Sequence, residues 1–233
     1  MIREHLAQIQ RTMAEAAQRV GRPLDAVKLV AVTKQVDANL INQAVACGQH
    51  LFGESYLQEA ADKIPQVKGA HWHFIGHLQS NKAAHAAALF DVIETVDSLK
   101  LARLLDSHAK AQGRSLSILV QVNTGAEAQK SGVAPADTES LVRAIIEETD
   151  LLLIGLMTIP PYFSDAERSR PYFRMLATIA ADLARKGLFA DNDRVELSMG
   201  MSGDYAVAIE EGATIVRIGT ALFGARNIQG VNA

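Results

Sequence analysis

The chain has 233 residues, 48% hydrophobic and 21% charged, the balance of a folded protein long enough to bury a sizeable core. Lys and Arg number 23 against 26 Asp and Glu, and this net charge of −3 excludes the basic field that recruits nucleic acid or an anionic membrane. The single cysteine, Cys47, excludes an internal disulfide. No apolar run reaches the roughly 18 to 20 residues of a membrane span, and the polar start Met1-Ile2-Arg3-Glu4-His5-Leu6 is not a secretory signal, so a cytoplasmic protein is expected.

The first predicted element is a helix over about 3–20, with Leu6, Ile9, Met13, Ala17 and Val20 on one stripe and Gly21-Arg22-Pro23 as its stop. Strands are predicted at about 28–34, 50–54, 72–76, 91–96, 117–123, 152–159, 194–199 and 214–219. Helical stretches such as 37–47, 98–112, 136–148 and 167–186 lie between them. Eight strands, each but the last followed by a convincing or possible helix, predict a parallel sheet closed into a single (β/α)8 barrel preceded by an extra helix. An open doubly wound sheet is the second choice, but no G-x-G-x-x-G follows the first strand. With no linker or low-complexity stretch, residues 1–233 are expected to form one domain.

The working face of such a barrel is the set of strand carboxyl ends. The apolar run Leu29-Val30-Ala31-Val32-Thr33 delivers Lys34 to that edge. An ammonium there either finds an anion or loses its proton and becomes a nucleophile for an aldehyde; a plain solvated lysine is the commoner case at strand ends. The seventh and eighth ends, Ser198-Met199-Gly200-Met201-Ser202 and Arg217-Ile218-Gly219-Thr220, are small, glycine-containing and hydroxyl-rich. A phosphate often sits at those loops in barrels, although ordinary loop glycines and a serine cap would look the same. Arg217 lies inside an apolar strand and needs either an ion-pair partner or a ligand. An amine, a phosphate seat and a buried arginine together fit pyridoxal phosphate.

Several segments carry a resemblance. They are Leu29-Val30-Ala31-Val32-Thr33-Lys34, Phe52-Gly53-Glu54, Trp72-His73-Phe74-Ile75-Gly76, Leu78-Gln79-Ser80-Asn81-Lys82, Lys130-Ser131-Gly132, Gly155-Leu156-Met157, Ser198 to Ser202, and Val216 to Arg226. On these the chain resembles the pyridoxal-phosphate homeostasis proteins, which are similar to the N-terminal barrel domain of alanine racemase, the type III fold of pyridoxal-phosphate proteins. The resemblance implies that Lys34 forms a Schiff base with pyridoxal 5'-phosphate. It also implies that Ser198, Met199, Ser202, Gly219 and Thr220 hold the phosphate and that Arg217 lies near the pyridine nitrogen. Met157, closing the sixth strand inside a matched segment, is counted with the cofactor-binding residues. The chain departs from the family pattern at Ser55, where asparagine is usual, and at His77, where proline is usual.

The implied role is that of a carrier or regulator of the cofactor, expected to be a monomer, with pyridoxal-phosphate-dependent apoenzymes as possible recipients and no catalytic residues. The rival is an amino-acid racemase. It needs a second acid-base group opposite Lys34, and the β-rich domain that supplies it in alanine racemase is not expected here. A third reading is a barrel that binds another phosphorylated metabolite, with Lys34 as a counter-charge. His71, His73 and His77 have a spacing compatible with zinc, but nothing completes a ligand set and no metal is expected. Lys130 is read as a solvated loop lysine or as a second group facing the mouth. The stretch 160–165 is read as a lid or a plain surface loop.

Overall fold

In the computed structural model, residues 1–127 and 129–224 are described. The eight strands are β1 (Lys28–Val32), β2 (Leu51–Glu54), β3 (His71–Phe74), β4 (Val92–Val96), β5 (Ser117–Gln121), β6 (Leu152–Met157), β7 (Glu196–Ser198) and β8 (Ile215–Ile218). They pair in parallel and in chain order, and β8 closes on β1 with Lys28 opposite Ile215 and Ala31 opposite Ile218. The barrel form of the strand-helix alternation is therefore the one adopted, and no sheet edge is left to protect.

The described helices are α1 (Ile2–Arg19), α2 (Ala38–Ala46), α3 (Leu57–Lys63), α4 (Ala83–Leu89), α5 (Leu99–Ala111), α6 (Thr138–Glu148), α7 (Arg170–Arg185), α8 (Tyr205–Glu210) and α9 (Thr220–Phe223). The last is a single turn following β8, where sequence reasoning expected no helix. Asp37 and Ser98 cap α2 and α5 by accepting from the Asn39 and Leu101 amides. No described helix is long and apolar enough to cross a membrane.

Strand pleating sorts the side chains. On β5, Ile118 and Val120 join the large core between strands and helices, whereas Leu119 joins Val92 and Met157 in a small cluster of its own inside the barrel. On β8, Val216 and Ile218 pack outward in the large core, so Arg217 between them points into the barrel. An alternation of period two thus carries a guanidinium into the barrel interior.

Helix α1 lies outside the barrel ring and buries Ile2, Leu6, Ile9, Met13, Ala16 and Ala17. Beyond its end, Arg22 donates to the Ile209 and Ala213 carbonyls at 2.9 and 2.8 Å, satisfying carbonyls around the end of α8. The ring Nδ1 of His5 lies 2.8 Å from the Leu222 carbonyl of α9. The extra helix therefore braces the two short helices that follow β7 and β8.

Candidate functional site

The strand carboxyl ends open onto a cavity of about 510 Å³. Its lining comes from Val32 at the end of β1 and Lys34 after it, Ser55 and Ile75 after β2 and β3, and Ile159, Tyr162 and Phe163 after β6. Met201 to Asp204 after β7, and Arg217, Gly219 and Thr220 from β8 and beyond, complete it. A volume of this size suits one small cofactor.

Strand β1 ends at Val32, two residues sooner than its apolar run suggested, and Lys34 stands partly buried in the turn that follows. Next to it, beyond the neighbouring strand β8, the Thr220 hydroxyl lies 3.2 Å from that of Ser202, joining the loops after β7 and β8 into one hydroxyl-rich rim. Gly200 makes the first of these loops possible. Its φ is +90°, and a Cβ there would come within 2.6 Å of the Ala208 Cβ. Asp204 also lines the cavity, but both of its oxygens are engaged, by the Met201 amide at 2.7 Å and the Ser169 hydroxyl at 3.0 Å.

Arg217 forms the floor. It is 3% exposed and donates to the Thr158 carbonyl at 2.8 Å and the Ser198 hydroxyl at 2.6 Å. The Ser198 hydroxyl in turn donates to Glu94 Oε2 at 2.5 Å, and His73 Nδ1 donates to Glu94 Oε1 at 2.6 Å. The Glu94 carboxylate is wholly buried, 3.9 Å from the guanidinium. Burial raises its pKa, but the His73 hydrogen bond and charge, the Arg217 charge and the Ser198 hydrogen bond outweigh this, so the carboxyl is held below its ordinary range. Burial also lowers the Arg217 pKa, against the charges of Glu94 and Asp204 that hold it up.

Five of the expected residues, Lys34, Ser202, Arg217, Gly219 and Thr220, therefore meet at one cavity. Three do not line it. Met157 points into the barrel against Val92 and Leu119, and Met199 is enclosed in the main core with its amide bonded to Ile215. Ser198 is fully buried and reaches the cavity only through Arg217. Only Met199 is turned outward by the pleat; Met157 and Ser198 face inward but lie deeper in the barrel than the cavity, against Val92 and Leu119 and beneath Arg217.

Sequence reasoning missed Glu94, although an acidic residue inside the apolar strand Val92-Ile93-Glu94-Thr95-Val96 was a visible signal. The histidines part company: His71 is exposed near Asp91, His73 serves Glu94, and His77 Nδ1 lies 2.9 Å from the Ser131 hydroxyl. Among the described residues no cluster of metal-ligating groups is present. Lys130 pairs with Glu127, donates to the Pro160 carbonyl at 3.2 Å, and lines a neighbouring cavity of about 230 Å³ with His77 and Gln121. In the 160–165 stretch Tyr162 is 88% exposed, while Phe163 stacks on Tyr172 at 5.8 Å beneath the Arg168 guanidinium. Of the matched segment ending at Arg226, Ala225 and Arg226 lie outside the described residues.

The family described as "Alanine racemase, N-terminal domain" matches residues 5–227. A pyridoxal phosphate homeostasis protein of Vibrio alginolyticus is 40% identical over 232 residues, covering 97% of this chain and 98% of its own. The chain belongs to the pyridoxal phosphate homeostasis family. PipY of Synechococcus elongatus has been solved without pyridoxal phosphate (38% identity, TM-score 0.83) and with it bound (36% identity, TM-score 0.81). Each covers 96% of this chain and 100% of the solved one. D-threonine aldolase from Filomicrobium marinum shares only the fold, at 17% identity and a TM-score of 0.72, over 97% of this chain and 63% of its own.

Proposed function

We propose that this protein binds pyridoxal 5'-phosphate and holds it as a Schiff base on Lys34, acting in cofactor homeostasis as a carrier or regulator rather than as a robust catalyst. The observation that carries the reading is the convergence of Lys34, the Ser202–Thr220 rim and the buried Arg217 on one cavity. The residues fit the group: an amine for the aldehyde, small hydroxylated loops for the phosphate, and a guanidinium on the floor between them. Lys34 would supply the amine that condenses with the group's aldehyde, with water as the other product.

When bound, the cofactor supplies an aldehyde for amines and a ring that can draw electrons from them. Arg217 restrains the second property. It is fixed as a donor by Ser198 and Thr158, and a permanent cation beside a pyridine nitrogen opposes protonation of that nitrogen. A carboxylate there would favour it, so this floor suits holding more than turnover. Solvent-borne donors and recipients, including pyridoxal-phosphate-dependent apoenzymes, belong to the same proposal, as do a cytoplasmic site of action, a monomeric state and a single domain over residues 1–233.

The test is an absorption spectrum of purified protein with added pyridoxal phosphate, before and after borohydride reduction, followed by peptide mapping. A visible band that reduction fixes onto Lys34 is expected. Failure to take up the cofactor would overturn the reading in favour of another phosphorylated ligand. Exchange of an amino acid's Cα hydrogen with solvent deuterium, abolished by Lys34→Ala, would instead make the protein a racemase-like enzyme.

A further inference from the structure

Lys34 does not sit on a strand but in a strained turn. The Val36 amide donates to the Thr33 carbonyl at 2.9 Å, which makes Lys34 and Gln35 the two central residues. Gln35 has a φ of +60°, and Lys34 is not among the positive-φ residues. That combination is the type II pattern, in which glycine or asparagine ordinarily occupies the second central position. A glutamine there must be held.

Helix α3 does the holding. The Lys63 ammonium donates to the Thr33 carbonyl at 2.6 Å and to Glu54 Oε1 at 2.7 Å, and lies 2.5 Å from Glu59 Oε1. An ammonium has three N–H donors, and three acceptors meet it here. The same Glu59 Oε1 accepts from the Gln35 amide at 2.6 Å, and the Thr33 hydroxyl donates to Glu54 Oε1 at 2.7 Å. The carbonyl before Lys34 and the amide after it are thus tied to one ion-paired cluster.

This cluster is costly. A Glu59–Lys63 pair one helical turn apart is ordinarily a solvated surface pair of little consequence. Here the Lys63 side chain is only 10% exposed, the Glu54 side chain is wholly buried, and Glu54 Oε2 meets no hydrogen-bond donor among the described residues. Charges are buried in this way only where geometry repays their desolvation. What they touch is the backbone on either side of Lys34.

We propose that Lys63, Glu59 and Glu54 are positioning residues that hold the Thr33–Val36 turn in its left-handed form and so present the Lys34 amine to the cavity. The inference rests on the reading of Lys34 as the attachment point. It assigns α3, which lends no residue to the cavity, a part in cofactor loading.

The experiment uses the full chain, Lys63→Met, Glu59→Gln, and Lys63→Met combined with Gln35→Gly. One readout is hydrogen exchange of the Gln35 amide in protein without added cofactor. The other is the pyridoxal phosphate concentration needed to half-load Lys34, read as the borohydride-fixed fraction. In Lys63→Met the Gln35 amide is expected to exchange at least tenfold faster while the Val30 and Ile118 amides hold, and half-loading is expected to need at least tenfold more cofactor. Gln35→Gly is expected to restore loading to within threefold, because glycine adopts positive φ without a clamp. A merely structural cluster would not be rescued in that way.

Unchanged exchange and loading in Lys63→Met, or no rescue by glycine, would overturn the proposal. If Lys63→Met does not fold, Glu59→Gln decides: its Gln35 amide must exchange at least threefold faster, and wild-type exchange refutes the clamp. If the parent protein takes up no cofactor, the attachment reading fails, and Gln35 exchange still decides whether the clamp exists.

Discussion

Two buried charged clusters flank the mouth of this barrel, and they are built differently. Inside it, Glu94 is closed on all sides, with His73 on one oxygen and Ser198 and, beyond it, Arg217 on the other. Between strand and helix, Lys63 is the saturated member and Glu54 keeps an oxygen without a partner. The first cluster pulls its carboxyl below the ordinary range, whereas burial outweighs the opposing effects of Lys63 and Thr33 and pushes the Glu54 carboxyl up. A satisfied carboxylate fixes a charge, here that of Arg217 on the cavity floor. A saturated ammonium fixes geometry, here that of the backbone around Lys34.

The sharpest way to break the comparison is to remove one partner from the inner cluster. Glu94→Leu leaves His73 and Ser198 without their acceptor and the buried Arg217 without its counter-charge, and should cost about 3–5 kcal/mol, read by urea unfolding of the cofactor-free protein. Adding Arg217→Met should recover a large part of that loss, because the uncompensated charge goes with it. A double variant no more stable than the single one would show that Glu94 and Arg217 are not energetically coupled.

The two carboxyls should also oppose each other in acid. With its folded pKa lowered, Glu94 contributes stability present above its ordinary value and lost as pH falls through the folded value. With its folded pKa raised, Glu54 imposes a cost at neutral pH that is relieved as pH falls from the folded value towards the ordinary one. Glu94→Gln should therefore flatten the acid limb of a stability profile, and Glu54→Gln should steepen the fall just above the ordinary carboxyl value, about 4.3. Parallel acid limbs in both variants would contradict the assignment.

The smallest expected effect concerns the exit from the Lys34 turn. Asp37 caps α2 through the Asn39 amide, and Asp37→Ala should lower unfolding free energy by about 1 kcal/mol, measured as a fall in Tm. It loosens the helix after the turn without touching the clamp before it. Loss of Gln35 protection in this variant would shift credit for the turn from α3 to α2.

Much of this architecture was legible without coordinates. The eight strands fall within a few residues of their predicted places because each is a short apolar run punctuated by polar turns. Five of the eight expected cofactor-binding residues line the cavity, since strand carboxyl ends converge in a barrel. Ser198, Met199 and Met157 were legible as neighbours of the site but not as buried ones, because a run such as Ser198-Met199-Gly200-Met201-Ser202 does not announce where its strand ends. Lys63 was illegible for a related reason. At the end of α3, four residues after Glu59, it has the spacing of a solvent-facing pair.

The sequence by itself determined the alternation of strands and helices, the placing of Arg217 inside an apolar strand, and the arrival of Lys34 at a working edge. These follow from local periodicity, which acts over a few residues. Only the tertiary structure decided which polar groups meet: Glu94 of β4 with Ser198 of β7 and Arg217 of β8, and Lys63 of α3 with the backbone on either side of Lys34. Closing the barrel sets those partners by shape. Each buried charge must then be neutralised by whatever closure brings within reach, and no pattern along the chain records that choice.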